Sequence, residues 1–297
     1  MTREYFYAKI GAANNLADKY LNGISEIGTP AIPIYFEGES SNEEQFLKKK
    51  VAQEQGENFF RCAKNPNCSY IIIIHNGILH VLTPCGEVKF KESAIFKTGE
   101  KEKDAIGQLK LLPVKKLPEL TFPISDVPAV LATMRANRYY SSGTFRHIQD
   151  IGCNKAIDKI LSHPIQSPEP FQPKNIFICM GSIEIETMIA KIFEEKGCHV
   201  PAYRGGNTVG IDIFAHNDSN AVIMIKDKCI KPRTRTSIQV KRGHQTQKPE
   251  GCDHLISAES DAEWLLKELK TTPNTLEWVK RSLDWLPADY LRLNGLP

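Results

Sequence analysis

Four prolines fall between Pro164 and Pro173, in the run HPIQSPEPFQPKN. No helix or strand runs through such a stretch, because each proline fixes φ and removes a backbone donor. The chain must therefore be built in two parts. The spacing predicts an N-terminal domain over 1–162, a proline-rich linker over 163–174 and a C-terminal domain over 175–297, and each domain is long enough to bury a core. Apolar residues are 41% and charged residues 25% of the 297, the balance of a globular protein and not of a disordered one. The densest apolar stretch, Tyr70–Ile74, is far short of the ~18 residues a membrane helix needs. The start, MTREYFYAKIGAANN, has no apolar core of the signal-peptide kind, so a cytoplasmic location is expected. Eight irregularly spaced cysteines then read mostly as small buried apolar residues, not as a disulfide framework.

In the N-terminal part, YFYAKIG and NNLADKYLNGISEIGT predict a strand, a turn, a short helix and a second strand. From Phe59 onward the pattern turns to β: FFRCA, then YIIII, a turn at His75-Asn76-Gly77, ILHVLTP, a turn at Cys85-Gly86, and EVKFK. Asn-Gly between two apolar runs is a hairpin signal. KTGEKEKD at 97–104 reads as a solvated loop, GQLKLLPVKKL as a further strand, and Asp150 to about Ser162 as a helix. The result is an α+β, β-barrel-like domain.

After the linker, NIFICMG is a buried strand or the lead-in to a helix. Ser182 to Gly197 is the clearest helix, with Ser182 as its cap, Ile185, Met188, Ile189, Ile192 and Phe193 as its apolar stripe, and Gly197 as its stop. Strands follow at HVPAY, VGIDIFAHN, AVIMIKDK, SIQVKRG and DHLISA, then a helix at DAEWLLKELK. The expected fold class is α/β, a mixed sheet flanked by helices.

Within that domain Glu186 lies at the edge of the helical stripe, Asp212 in GID, and Gln239 and Lys241 two apart in QVK. Period-two geometry puts Gln239 and Lys241 on one strand face and turns Val240 into the core. Asp212 is a hard oxygen ligand suited to Mg²⁺, the Gln239 carbonyl can supply a second oxygen, and Glu186 can bind or orient a metal-bound water. Lys241 would stand beside the attacking water or the phosphate, where a cation stabilises developing charge. The net charge is only +3, yet Lys226 to Lys248 holds eight basic residues (Lys226, Lys228, Lys231, Arg233, Arg235, Lys241, Arg242 and Lys248) against one acid, Asp227. A polyanionic partner is expected there, with Lys231, Arg233, Arg235 and Arg242 on the phosphates.

The order of these residues resembles the PD-(D/E)xK nuclease superfamily, in particular its Mrr-like restriction endonuclease branch, in which Gln commonly replaces the second acid. IEIETMIAKIFEEKGCHV is similar to the family's helix, with its Glu eleven residues before the closing Gly, which selects Glu186 over Glu184. GGNTVGIDIFA resembles the approach to the metal-binding Asp, and SIQVKRG the strand with Gln and Lys. The resemblance covers roughly 175–270. It implies a restriction-endonuclease-like fold, Glu186, Asp212, Gln239 and Lys241 as catalytic residues, the first three as metal ligands, Mg²⁺ as cofactor with Mn²⁺ able to substitute, and DNA as substrate. A bacterial or archaeal defence role and a homodimer follow as expectations. One departure is the interval of 27 residues between Asp212 and Gln239, in which KDKCIKPRTRT reads as an insertion able to displace the QVK strand. More faintly, the N-terminal part resembles the domains that precede Mrr-type nucleases, with a small barrel related to PUA and EVE readers of modified bases.

Each feature has a plainer reading. Single members of the quartet are turn or rim residues more often than catalytic ones. Cys62 and Cys68, with His75, His80 and Cys85, invite zinc, but their five-residue gap exceeds a knuckle's spacing, and buried thiols are favoured. Arg138, Tyr139, Tyr140 and Phe145 could stack on a base, although core packing is the commoner use. Gly205, Gly206 and Gly210 do not make a dinucleotide site, and no P-loop is present, so no nucleotide cofactor is expected. Trp264, Trp278 and Trp285 read as interhelix packing. A DNA-binding or modified-base-reading protein on an inactive nuclease scaffold, or an RNA-cleaving nuclease, remain as alternatives.

Overall fold

The computed structural model describes residues 3–11, 14–34, 43–47, 53–91, 109–134, 140, 143–163, 175–203, 210–226, 228–244 and 247–296. The chain is mixed α/β, with a curled mixed sheet flanked by helices. It divides into two compact units, Met1–Val127 with Met134–Asp150, and Pro128–Thr133 with Ile151–Pro297.

The first unit runs β1 (Glu4–Ala8), α1 (Ala17–Leu21), β2 (Ala31–Ile34), α2 (Glu43–Leu47), α3 (Gln53–Lys64), β3 (Ser69–His75), β4 (Ile78–Pro84), β5 (Lys89–Lys91) and β6 (Leu109–Pro123). After α4 (Ala129–Ala132), which belongs to the second unit, β7 (Phe145–His147) completes it. The strand order is β2-β6-β4-β3-β1-β7, with β5 also on β6 and β1 parallel to β3. Ile71 to Ile74 are all buried, as a strand covered on both faces requires. Asn76 and Gly77 both take positive φ, the two-residue turn that matches strand twist in a hairpin. The curl comes from β6. Its first half pairs with β2 and β5 and its second half with β4, and the ladder to β4 breaks between Lys116 and Thr121, where Pro118 has no N–H to give.

One expectation changes here, and the commoner reading of the aromatics holds. FFRCA is the end of α3, not a strand, because Gly56, Phe59 and Phe60 recur at helical spacing and are buried together. Tyr140 and Phe145 are core residues: Tyr140 packs edge-on to Tyr7 at 5.5 Å, and Phe145 stacks on Phe6 at 5.4 Å. Arg138, Tyr139, the loop at 97–104 and nearly all of the proline-rich segment lie outside the described residues.

The second unit continues with α5 (Ile151–Ile160), a 3-10 turn at Ile176–Cys179, α6 (Ser182–Glu195), β8 (Cys198–Tyr203), β9 (Ile213–Asn217), β10 (Ile223–Ile225), β11 (Lys228–Ile230), β12 (Arg235–Lys241), β13 (His254–Ser257), α7 (Ala262–Leu269), α8 (Pro273–Ser282) and α9 (Ala288–Leu293). The observed division falls before α5, not at the prolines. Gly152 explains why: a Cβ there would stand 2.0 Å from the Ile178 carbonyl oxygen, so α5 lies directly against the 3-10 turn of the second unit. NIFICMG, expected as a strand or a lead-in, is that turn.

A four-stranded sheet ordered β13-β12-β9-β8 forms the centre, antiparallel except for the parallel β12–β13 pair. Helix α6 buries Ile185, Met188, Ile189, Ile192 and Phe193 in one core with Ile213, Ala215, Ile238, Val240 and Ile256, which puts α6 on the face those strand residues share. The cap falls one residue before the expected Ser182. Gly181 holds the N-cap position, and the Glu184 carboxylate reaches back to its N–H at 2.7 Å, while Gly197 at φ +92° ends the helix. Trp264, Trp278 and Trp285 pack on the rim of this core. Of the cysteines, 62, 153, 179, 198 and 252 are buried, and 85 and 229 are exposed. No helix among the described residues is long and apolar enough to cross a membrane.

Candidate active site

The sheet face opposite α6 carries the polar residues. Along β12 the core takes Ile238 and Val240, so Arg235, Ser237, Gln239 and Lys241 point the other way. On β9, Ile213 pairs with Ile238, and one step further Asp212 falls opposite Gln239. Its backbone N–H donates to the Ile238 carbonyl at 2.9 Å, and one carboxylate oxygen, Oδ2, accepts from the Val240 N–H at 2.7 Å. Asp212 is thus fixed to the neighbouring strand through both its backbone and its carboxylate, opposite Gln239 in the register. The long connection feared to displace QVK does not do so, since its central part folds into the β10–β11 hairpin and β12 pairs directly with β9.

Gln239 is 5% exposed. Its burial comes from the β12–β13 connection, which folds back over this face. Asp253 accepts from the Ser237 N–H and hydroxyl, each at 2.8 Å, and Pro249 packs on Gly210. Gly210 has φ +82°, and a Cβ there would meet Pro249 at 3.1 Å and the Gln239 amide nitrogen at 3.9 Å, so this approach needs glycine. Burial opposes the charge on Asp253, but the Ser237 and Thr236 hydrogen bonds outweigh it and hold the carboxyl below its ordinary range. Inside this cover Gln239 Oε1 is buried without a hydrogen-bond partner among the described residues. An orphaned carbonyl oxygen beside a fixed carboxylate is a hard-oxygen donor pair, which fits Mg²⁺ or Mn²⁺ and not a soft metal. Among the described residues no three His, Cys, Asp or Glu side chains converge as a metal cluster, so the donor set here depends on the amide.

Asp212 and Lys241 are half-buried at the margins of the covered patch. Lys241 sits at the end of β12, its carbonyl accepting from the Ala258 N–H at 2.7 Å. Arg242, expected on DNA, is half-buried instead and donates to the Ile178 carbonyl ahead of α6. That contact brings the start of α6 to the Lys241 end of the sheet. Burial pushes the Glu184 carboxyl up to about 7, although the Gly181 N–H and the Arg242 charge draw it back. Glu186 comes from the opposite layer: it follows core residue Ile185 on α6 and is half-exposed on that helix's rim. The structure therefore brings Asp212, Gln239 and Lys241 onto one face, and Glu186 to the same end from across the sheet. Lys231, Arg233 and Arg235 are exposed, with Arg235 on the site's own face of β12. Gly205 and Gly206 lie outside the described residues.

Sequence reasoning missed the Asp253 clamp and the Gly210–Pro249 contact. Neither has a local signature, since each joins segments brought together only by the fold. Comparison with protein-family models, curated proteins and solved structures finds no match to this chain.

Proposed function

We propose that the second unit is the catalytic half of a Mg²⁺-dependent endonuclease, restriction-endonuclease-like in fold and of the QxK type, hydrolysing phosphodiester bonds in DNA. The observation that carries this reading is the buried, unpartnered Gln239 carbonyl next to the Asp212 carboxylate, with Lys241 two residues along the same strand face. The sheet order β13-β12-β9-β8 behind α6 supports the fold assignment.

Asp212 and Gln239 would hold the metal, and Glu186 would complete the oxygen set through a water. A divalent cation bound there polarises a phosphoryl oxygen and lowers the pKa of water. Asp212 keeps its geometry through the Val240 N–H, so its second oxygen is preorganised. Lys241 stands where its ammonium can meet the negative charge that grows on the phosphate oxygens. Lys231, Arg233 and Arg235 supply backbone contacts, and the first unit, read as a barrel-like target-recognition domain, selects the DNA. Defence against foreign DNA in a cytoplasmic setting is the role this combination fits, and a homodimer would let one active site per chain cut both strands.

Purified full-length protein and its Lys241→Ala variant, incubated with methylated and unmethylated plasmid in Mg²⁺, test the reading. Cutting by the parent alone supports it. Cutting that is indifferent to the substitution refutes it, and digestion of RNA in place of DNA moves the substrate. One observation favours a second reading, a DNA-binding module without activity: Glu186 approaches from the helix on the opposite face. Duplex binding with no cleavage in Mg²⁺ or Mn²⁺ would select it.

A further inference from the structure

The β10–β11 hairpin has two unlike faces. Ile223, Ile225 and Ile230 are buried in the core of the second unit, while Val222 and Met224 are each 53% exposed. Met224 pairs across the ladder with Cys229, also exposed, and one step beyond the ladder Val222 falls opposite Lys231. An exposed Val and Met two apart on one hairpin face are unusual where charge would be cheaper, and exposed cations follow along the chain: Lys228 on β11, Lys231 just beyond it, Arg233, whose guanidinium donates to Asn220 at 3.2 Å, and Arg235.

The hairpin is also braced at both ends. At its base Asn217 donates to the Ala221 and Ile230 carbonyls at 2.8 and 3.2 Å, and the Arg233 N–H donates to the Asn217 carbonyl at 2.8 Å. At its tip the Lys226 ammonium pairs with Asp261 at 2.7 Å and contacts the Leu255 carbonyl at 3.4 Å. One face anchored in the core and both ends tied keep the outer face, from which Val222 and Met224 stand out, from yielding under load.

An apolar strand face bordered by cations matches a partner with a polyanionic surface and stacked apolar faces within it. From this we infer that the hairpin is a wedge for duplex DNA: the cations seat on phosphates, and Val222 and Met224 press between base pairs and partly unstack them. The cost of unstacking is repaid by the backbone contacts the bent duplex then makes. The inference rests on DNA being the substrate proposed above, and it adds that the protein deforms that DNA before cutting.

A topological assay separates the two claims. Nicked plasmid is bound by full-length protein carrying Lys241→Ala, sealed with ligase and resolved into topoisomers, since a wedge unwinds DNA at every sequence it binds. The chain with Val222 and Met224 intact is expected to shift the linking number. Val222→Ser with Met224→Ser should abolish most of that shift and weaken duplex binding about tenfold, while Ile24→Ser, an exposed apolar position in the first unit, changes neither. Replacing Lys228, Lys231, Arg233 and Arg235 by Gln should lower the slope of log K against log salt by ~3–4. An equal topological shift with and without the wedge residues overturns the inference and leaves the nuclease reading intact. Lack of duplex binding, or a defect on RNA alone, overturns it too. A shift that depends on the wedge in a protein that never cuts DNA upholds it while the nuclease reading fails.

Discussion

Gln239 buries a carbonyl oxygen that no described group satisfies, and this fixes the sign of a stability change. The side chain is 5% exposed, so that oxygen has left water without gaining a partner. An unpaired buried acceptor costs about 1–3 kcal/mol. Methionine has similar length and volume without the carbonyl, and volume-conserving swaps are the best tolerated in packed surroundings. Gln239→Met is therefore expected to stabilise the metal-free chain by about 1 kcal/mol, the low end because a thioether does not reproduce the flat shape of an amide. In a chain of this size that is a rise in Tm of about 2–3 °C. Mg²⁺ reverses the order. At about 100 times its Kd, a ligand that binds only the native state adds ~2.7 kcal/mol, and the parent should gain this while the variant, lacking one donor, gains far less. Thermal unfolding in EDTA and in a Mg²⁺ series reads both quantities. Loss of about 1 kcal/mol or more by the variant in EDTA, or an equal response of both proteins to Mg²⁺, would show that Gln239 is structural and refute the reasoning.

Glu195 accepts four hydrogen bonds from the start of α8, two from Asn274 and two from Thr275, at 2.8–3.2 Å, and so caps that helix from a distance. Glu195→Ala should cost ~1 kcal/mol in urea unfolding. Burial would raise the Glu195 pKa, but these hydrogen bonds outweigh it and hold the folded value below 4.5, so the stability they add is present above pH 4.5 and is lost as pH falls through the lower folded value. The variant should then have a flatter acid limb. Burial, helped by the Lys116 and His75 charges, lowers His80 from 6.5 to about 4. The unfolded chain thus takes up this proton first, and stability is lost as pH falls from 6.5 to about 4. His80→Leu should remove ~1–2 kcal/mol of that loss, after allowance for solvent screening, in unfolding followed across the same range. Gly77 has φ +73° and open space on the side where a Cβ would project, so Gly77→Ala is strained by backbone alone and should cost ~1 kcal/mol in the same unfolding measurement.

Much of the second unit was legible because its signals are local. The α6 stripe and the QVK alternation each follow from one period, and both hold in the structure. Other features depend on partners distant in sequence. FFRCA looks like a strand until Gly56 is seen to share its buried face, and a short apolar run does not by itself distinguish the two periods. The prolines mark a break in the sequence pattern, but α5 packs with the segment beyond them because Gly152 lets it lie against the Ile178 carbonyl. The candidate site divides in the same way. Placing Gln239 and Lys241 on one face needed only strand geometry, whereas the orphaned oxygen, the Asp253 clamp and the inward commitment of Arg242 arise from contacts the fold creates. Glu186 reads as a rim residue on any helical wheel, and its layer is set by the side of the sheet on which α6 packs.

The most direct test of the central claim is Asp212→Asn. The amide carbonyl can still accept the Val240 N–H, so the change removes charge from the site while keeping its shape. The account predicts that the parent cuts plasmid DNA in Mg²⁺, and that the variant keeps its unfolding transition within about 0.5 kcal/mol but loses cleavage by roughly a hundredfold or more. Cleavage by Asp212→Asn at the parent rate would contradict it.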